Sequence, residues 1–258
     1  MKRLALILLL ACTAAAQQNP RVMLAVFAHP DDETLVAPVL ARYAREGDKV
    51  YLAIATKGEK GTNERTAIPA GDALAKVRSE EAACACRQLG IEPPILFGLN
   101  DGELGAITSP LGHNIQTVAD QVEKLIAELH PSVVVTWGAE GGYGHPDHRL
   151  VADGVTQAIQ ASKANVKLFY VGFSPEQIKP VNAVWPMSWH ATDPAYLTVR
   201  VAFTKVDQLA YHRALECHKS QFSPEEMQKF ENALDGGWQQ AVSFRPWFGD
   251  RKSDDLFK

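Results

Sequence analysis

The sequence predicts a single-domain α/β protein with three layers, in which helices cover both faces of a mostly parallel sheet. Short β-branched apolar runs alternate along the chain with longer segments of helical period. That alternation is typical of parallel strands joined by helices. The 258 residues, 46% of them hydrophobic, are also enough to build one large core.

The strands of this sheet are short apolar runs that each end at a turn signal. They are predicted at Val22–Phe27, Val50–Thr56, Ile95–Leu99, Val133–Trp137 and Val166–Gly172, with a further, antiparallel strand at Leu197–Phe203. If the first five follow the usual 3-2-1-4-5 order of a Rossmann-like sheet, the first and fourth strands are neighbours.

The helices lie between the strands, and Val151, Val155 and Ile159 illustrate their period because they fall on one face. Helices are predicted at Thr34–Arg45, Ala73–Leu89, Ile115–Leu129, Asp147–Ser162 and Val206–His218. Two long connections remain, Lys57–Asp72 and Ser174–Pro194, and loops of such length are usually lids or binding segments. No repeat or linker divides the chain, so residues 17–258 are predicted to form one domain.

Residues 1–16 differ from the rest of the chain. Lys2 and Arg3 precede the apolar run Leu4–Ala11, and three alanines follow at 14–16, which is typical of a signal peptide. The run is shorter than the roughly 20 residues that span a bilayer, so no transmembrane span is expected in the mature chain. The sequence therefore predicts an exported protein, periplasmic or secreted. The alternative is a lipoprotein signal that ends before Cys12 and leaves a lipid anchor on that cysteine.

Charge and cysteine content exclude further classes of partner and site. The 26 basic and 30 acidic residues give a net charge of -4 without any basic block, so nucleic acid is not an expected partner. Cys84, Cys86 and Cys217 lack the spacing of metal ligands. The favoured interpretation is that they are small buried hydrophobic residues, and a disulfide of Cys217 is the alternative.

Polar clusters follow the first and fourth predicted strands at the point where each strand ends. His29–Glu33 comes directly after the first, and Gly141–His148 follows the fourth, with Pro146 suited to a first helical turn. Ligands of open parallel sheets bind beyond the carboxyl ends of strands, so the two clusters are expected to face each other across one crevice. Helix capping alone does not explain an imidazole in both clusters.

Two imidazoles and a carboxylate are the ligands of a catalytic zinc ion that keeps a position open for water. The predicted metal ligands are His29, Asp32 and His148, with Zn²⁺ as the expected metal and Fe²⁺ as the alternative. Asp31 is then the predicted general base. His145, oriented by Asp147 and preferably protonated, is the predicted group that stabilises the oxyanion.

His-Pro-Asp-Asp-Glu at 29–33 and Gly-His-Pro-Asp-His at 144–148 resemble the motifs of the PIG-L/LmbE-type deacetylases, whose zinc enzymes cleave the acetamide of N-acetylglucosamine-containing compounds. A weaker resemblance runs over most of the mature chain and includes Gly58-Glu59, Arg78 with Glu80 and Glu81, Asp101-Gly102, and His218 with Ser220-Gln221.

The resemblance implies the same ligands and catalytic residues as the motifs, and it adds Arg78 and Tyr143 as substrate-binding residues. Tyr143 is alternatively a packed loop aromatic, and Arg78 a surface helix residue in an ion pair. His218 is either near the site or a helix histidine with a local partner.

We therefore predict a zinc-dependent hydrolase that removes the N-acetyl group from an N-acetylglucosamine-type sugar or glycoconjugate and releases acetate. Family members that make small cytoplasmic thiols need no signal peptide, so a cell-envelope or extracellular acetylated amino sugar, free or in a glycan or glycoside, is expected. Four tryptophans are candidates for stacking on sugar, of which one or two are expected to do so: Trp185, Trp189, Trp238 and Trp247.

Two other functions remain open at this point. A non-haem iron enzyme also uses two histidines and one carboxylate, although such triads usually sit on a double-stranded β-barrel. A metal-containing carbohydrate-binding protein without turnover is the second alternative, and the spare base Asp31 argues against it. The sequence does not specify an oligomeric state.

Overall fold

The fold is given by a computed structural model of the chain, which describes residues 20–109, 112–185, 187–249 and 252–258. The predicted signal peptide, Met1–Ala16, and Cys12 lie outside the described residues. None of the helices in the described part of the chain has both the length and the apolar character needed to span a membrane.

The strands of the described residues form one large sheet and one small one. The strands are β1 (Val22–Phe27), β2 (Lys49–Thr56), β3 (Ile95–Leu99), β4 (Ile107–Ser109), β5 (Gly112–His113), β6 (Val133–Thr136), β7 (Lys167–Gly172), β8 (Val199–Ala202) and β9 (Ala241–Pro246). The large sheet has the order β3-β2-β1-β6-β7-β9-β8, and β4 pairs with β5 separately. The first five strands of the large sheet are parallel, whereas β9 is antiparallel to both neighbours. The predicted fold class and the predicted 3-2-1-4-5 order are confirmed.

Helices cover both faces of the large sheet. They are α1 (Ala37–Arg45), α2 (Asp72–Leu89), α3 (Asn114–Leu129), α4 (Gly141–Gly144), α5 (Pro146–Ala161), α6 (Pro175–Val184), α7 (Lys205–Leu215) and α8 (Pro224–Trp238), with a 3-10 turn at Asp32–Leu35. Met23, Ala25 and Phe27 of β1 pack with α1, α2, α6, α7 and α8, and the alternate residues Leu24 and Val26 pack with α3 and α5. Because β1 is buried on both faces, its sequence is a continuous apolar run.

The segment Ser174–Pro194 departs from prediction, because it contains α6 rather than only a loop. Pro180 lies inside this helix and weakens a helix prediction. The signal that would have found α6 is its capping box, in which Ser174 and Gln177 bond each other's backbone amides. Helix α8 and strand β9 were not predicted either.

The cysteines also depart from the favoured interpretation, since Cys84 and Cys217 form a disulfide. Helices α2 and α7 pack together, and this contact brings the two residues within reach. The interpretation as small buried hydrophobic residues is therefore wrong for this pair, and it holds for Cys86, which is buried and free.

Candidate metal centre

The candidate site lies where β1 and β6 end side by side. The two strands are parallel, with Ala25 opposite Val135, so their carboxyl ends open at the same edge of the sheet. Helix α1 follows β1 on one face of the sheet, whereas α5 follows β6 on the other. This divergence leaves a crevice between the strand ends, and both polar clusters enter it, as predicted.

The three predicted metal ligands meet in this crevice, and all are buried. His148 Nε2 lies 3.2 Å from His29 Nδ1 and 3.2 Å from Asp32 Oδ1. His29 Nδ1 lies 3.7 Å from Asp32 Oδ2. Bonds of 2.0–2.2 Å to a tetrahedral zinc ion separate its ligand atoms by about 3.4 Å. Each pair of side chains is thus about as close as two ligands of one ion, with His29 nearer one oxygen of Asp32 and His148 nearer the other.

The hydrogen-bonding partners of the two histidines leave the facing nitrogens free to bind a metal. His148 Nδ1 donates to the carbonyl oxygen of Gly141 at 3.1 Å, so Nε2 carries the lone pair. His29 Nε2 lies 3.1 Å from Asp101 Oδ1 and 3.4 Å from Asp147 Oδ2, so a proton on Nε2 faces carboxylates while Nδ1 faces the candidate metal position. Carboxylates in this position orient ligating histidines in metal sites. Asp101 was not predicted as a site residue, although Asp101-Gly102 belongs to the weaker resemblance.

Asp32 is fixed through one carboxylate oxygen and presents the other to His148. Its Oδ2 accepts hydrogen bonds from the amides of Ala28 and His29, both at 2.9 Å, and from Trp137 Nε1 at 3.0 Å. Burial raises the pKa of Asp32, but His148 and His29 hold it well below its usual value. The carboxylate is therefore ionised and rigidly aimed.

The charge balance of the site favours a cation. Burial lowers the pKa of His29, but the surrounding carboxyl groups raise it well above its usual value. Among the described residues, one guanidinium, that of Arg78, lines the same cavity. Four carboxyl groups lie against the imidazoles and this guanidinium: Asp31, Asp32, Asp101 and Asp147. A divalent ion would offset this excess of negative charge, so the donor set fits a metal.

Asp31 is held at each of its polar groups. Its φ of 102° lies in the left-handed region, which residues with a Cβ adopt rarely. Its amide donates to Glu33 Oε2 at 3.0 Å, its carbonyl accepts from the amide of Thr34, and its carboxylate accepts from Arg78 Nη2 at 3.0 Å. Burial raises the pKa of this carboxyl to about 6, although Arg78 opposes the shift. The group is thus ionised at neutral pH and more basic than an ordinary aspartate.

Arg78 is buried rather than exposed on α2. Besides Asp31, it donates to the carbonyl oxygens of Gly58 at 2.8 Å and Pro30 at 2.6 Å. Gly58 has a φ of 64°, and a Cβ there would lie 2.2 Å from Arg78 Nη1, so both the backbone and the space require glycine. The alternative of a surface ion pair is therefore wrong, whereas contact with substrate stays a prediction.

His145 and Asp147 lie beside the ligands but not in the predicted relation to each other. His145 Nδ1 accepts a hydrogen bond from the amide of Asp147 at 3.2 Å and so caps α5. The carboxylate of Asp147 accepts instead from the amide of Gly102 at 2.7 Å and faces His29. The backbone of Asp147, rather than its side chain, orients His145, which corrects the predicted role of this aspartate.

The protonation of His145 also differs from expectation. Burial, together with His148 and His29, lowers its pKa to about 4. Because Nδ1 accepts a hydrogen bond, the proton of the neutral ring sits on Nε2. One ring nitrogen from each of His29, His145 and His148 lies within 4.8 Å of the other two. His145 is therefore a neutral donor beside the ligands, not the imidazolium that the sequence analysis preferred.

A cavity of about 230 Å³ opens from these residues. Tyr143 lines it and lies edge-on to His148, with ring centroids 5.4 Å apart. It follows Gly142, whose φ of 67° and ψ of -97° interrupt α4. The apolar part of the wall consists of Leu35, Trp137, Trp185, Met187, Trp189, Phe222 and Phe230.

Two of the four candidate tryptophans line the cavity, and their stacking on sugar stays a prediction. Trp185 and Trp189 line the cavity, whereas Trp238 is fully buried against Phe203 and Tyr211, and Trp247 lies elsewhere. Trp137 was not among the candidates. It stacks on His148 with ring centroids 4.1 Å apart and fixes the ligand's plane.

His218 does not line the cavity, but its partner belongs to the first motif. The imidazole is fully buried, and its Nε2 lies 2.7 Å from Glu33 Oε1. The alternative of a local partner is therefore wrong. Two residues after His218, Ser220 donates to Glu81 through both its amide and its hydroxyl. Gln221 donates to the carbonyl oxygen of Gly61. These bonds tie the segment to α2 and to the loop after β2, close to the first motif.

Residues 24–159 match the family described as PIG-L: GlcNAc-PI de-N-acetylase. The chain belongs to this family. A 1D-myo-inositol 2-acetamido-2-deoxy-alpha-D-glucopyranoside deacetylase of Actinosynnema mirum is 31% identical in a match that covers 78% of this chain and 81% of the relative. The enzyme of the same name from Thermobifida fusca is 36% identical in a match that covers 58% of each chain. The N,N'-diacetylchitobiose deacetylase of Pyrococcus horikoshii shares the fold, with a TM-score of 0.66 over 88% of this chain and 83% of its own, at 18% identity.

These comparisons confirm the predicted family, and with it the prediction of an amide hydrolase of the N-acetylglucosamine deacetylase class. They contradict the predicted location. The relatives are named for a small acetylated inositol glycoside, whereas the export prediction was tied to a cell-envelope or extracellular acetylated sugar. The prediction of a periplasmic or secreted protein is therefore wrong, as is its alternative of a lipid anchor at Cys12.

Proposed function

We propose that this protein is a zinc-dependent deacetylase that hydrolyses the acetamide of an N-acetylglucosamine-type glycoside to acetate and a free amine. The observation that carries the proposal is the convergence of His29, Asp32 and His148 within 3.7 Å of one another, with Asp31 and His145 on the same cavity. The nitrogen and oxygen donors favour zinc, and the α/β fold is unlike the β-barrel usual for iron enzymes with a similar triad.

A bound zinc ion would polarise the acetamide carbonyl and lower the pKa of water at its open position. Asp31 accepts the proton of the attacking water as oxygen adds to the carbonyl carbon. His145 donates a hydrogen bond from Nε2 to the developing oxyanion. The C–N bond then breaks, acetate leaves, and the amine takes up the proton that Asp31 collected.

The proposed substrate is an N-acetylglucosaminide with its acetamide at the buried histidines and its remainder against the aromatic wall. Trp185 and Trp189 offer flat apolar surfaces of the kind that pack on sugar rings. The relatives' substrate, N-acetylglucosaminyl inositol, fits this description. Arg78 and Tyr143 line the same cavity and are the proposed polar contacts to the substrate.

Acetate release from purified, zinc-loaded protein tests this function. We expect release from N-acetylglucosaminyl inositol and from simple N-acetylglucosaminides, and none from N-acetylated amino acids, which cannot reach both the histidines and the aromatic wall. Sugar binding without acetate release would instead identify a binding protein.

A further inference from the structure

We propose that Glu33 and His218 are positioning residues, which together hold the backbone of Asp31 in the left-handed conformation that aims its carboxylate into the cavity. The proposal rests on the proposed function in one respect only, which is the role of Asp31 as general base. Neither residue lines the cavity. Both act through Asp31 rather than on substrate.

Glu33 uses each of its carboxylate oxygens for one partner. Oε1 lies 2.7 Å from His218 Nε2, and Oε2 accepts the amide hydrogen of Asp31 at 3.0 Å. The side chains of Glu33 and His218 are 1% and 0% exposed, so no water competes for either contact. Because Glu33 is held at one oxygen, the other has a fixed position beneath the Asp31 amide.

His218 is itself anchored to α2. Ser220, two residues on, bonds Glu81 of α2 through its amide at 2.7 Å and its hydroxyl at 2.6 Å. Cys217, one residue before, is joined to Cys84 of the same helix. Among the described residues, His218 Nδ1 has no hydrogen-bond partner, so Glu33 is the polar contact of the imidazole.

The same helix carries Arg78, which binds the carboxylate of Asp31. Helix α2 therefore reaches Asp31 by two routes, through Arg78 to the side chain and through His218 and Glu33 to the backbone amide. Asp32 has its own bonds to the amides of Ala28 and His29, which do not involve Glu33. Loss of the second route should disturb the base while the metal ligands stay in place.

Variants of both residues separate positioning from general stability. In Glu33→Ala the Asp31 amide loses its acceptor, and we expect kcat to fall about 100-fold, the usual cost of a displacement of about 1 Å, with KM and zinc content close to wild type. Glu33→Gln keeps an oxygen for the Asp31 amide, and its NH2 group can donate to His218 Nε2 once the neutral imidazole carries its proton on Nδ1, so its kcat should stay within about tenfold of wild type. His218→Gln keeps a donor for Glu33, so its kcat should also stay within about tenfold of wild type. His218→Ala has no such donor, and its kcat should fall as in Glu33→Ala.

Amide hydrogen exchange of Asp31, followed by NMR in the zinc-free protein, gives a readout that does not depend on activity. We expect faster exchange in Glu33→Ala and His218→Ala and near-normal exchange in the two glutamine variants. The matched control is Asp207→Ala, which removes another buried, cation-paired carboxylate at the far end of α7 and should leave kcat and Asp31 exchange unchanged.

The proposal is overturned if Glu33→Ala keeps wild-type kcat and slow Asp31 exchange, if Glu33→Gln is as damaged as Glu33→Ala, or if Asp207→Ala shows the same loss. A wild-type protein that releases no acetate would refute the proposed function alone, because the exchange of the Asp31 amide still reports whether Glu33 and His218 hold it.

Discussion

At the scale of single residues, acceptor groups decide which nitrogen of each histidine faces the candidate metal position. The carbonyl oxygen of Gly141 accepts a hydrogen bond from His148 Nδ1, and the carboxylate of Asp101 faces Nε2 of His29. The two ligands therefore present different nitrogens, Nε2 and Nδ1. The sequence motifs predicted both histidines as ligands but not this difference, because the partners lie on other loops whose paths no periodicity predicts.

Asp101→Asn should weaken zinc binding about 10- to 100-fold, since the amide can no longer act as a charged acceptor for His29. Competition with a chelating dye measures this affinity. Asp120→Asn, an exposed change on α3, is the control and should bind zinc as wild type does. Unchanged affinity in Asp101→Asn would mean that His29 is oriented without the carboxylate.

His145→Ala should lower kcat by about 10²- to 10³-fold, the usual effect of losing one oxyanion donor, with KM changed much less. Because the pKa of His145 is about 4 and Nδ1 is already bonded, the ring is neutral throughout the working range. The alkaline limb of the pH–rate profile should therefore keep its position in the variant. A limb that flattens would show that His145 acts as an imidazolium.

The stability conferred by His218 should depend on pH. Burial lowers the pKa of this imidazole, but Glu33, and to a smaller extent Asp31 and Glu81, raise it above its usual value. A group whose pKa is higher in the folded than in the unfolded protein stabilises the fold fully at pH values below its unfolded pKa, about 6.5 for histidine. That stabilisation is lost as the pH rises through the folded-state pKa. The difference in free energy of unfolding between wild type and His218→Ala should thus shrink as pH rises. Urea unfolding between pH 5.5 and 9 measures it, and a difference that grows with pH contradicts the pairing.

At the scale of elements, the disulfide ties α2 to the segment that follows α7. Cys84→Ala and Cys217→Ala should each cost about 2–4 kcal/mol of unfolding free energy, and the double variant no more than either alone, since the single link is already lost. Cys86→Ala, two residues along the same helix, is the control and should cost less. Additive losses in the double variant, measured by denaturant unfolding, would contradict a bond between the two residues.

The elements that could be predicted are those whose apolar pattern follows directly from burial. β1 is buried on both faces and reads as an unbroken apolar run, and α5 shows its period because one face packs on the sheet. α6 was missed because Pro180 obscures it, and α8 because its apolar residues are diluted by charge, although Ser223 and Glu226 form a capping box. The pairing of Cys84 with Cys217 depends on how α2 meets α7, which local sequence does not encode.

At the scale of the whole molecule, the position of the site follows from strand order. β1 and β6 are neighbours whose helices leave on opposite faces, and this switch opens a crevice at their carboxyl ends. The usual order of such sheets was enough to predict that the two motifs meet. It did not predict the aromatic wall, because Trp185 follows α6, Phe222 precedes α8 and Phe230 lies on α8, all of them late in the chain.

The central claim is that this crevice binds a metal through His29, Asp32 and His148 while Asp31 serves as base. The most direct test measures zinc content and acetate release together in two variants. His148→Ala should lose both zinc and turnover, whereas Asp31→Asn should keep one zinc per chain and lose turnover by about 10²- to 10⁴-fold, the range for a missing general base. Full zinc occupancy in His148→Ala, or wild-type turnover in Asp31→Asn, would contradict the assignment.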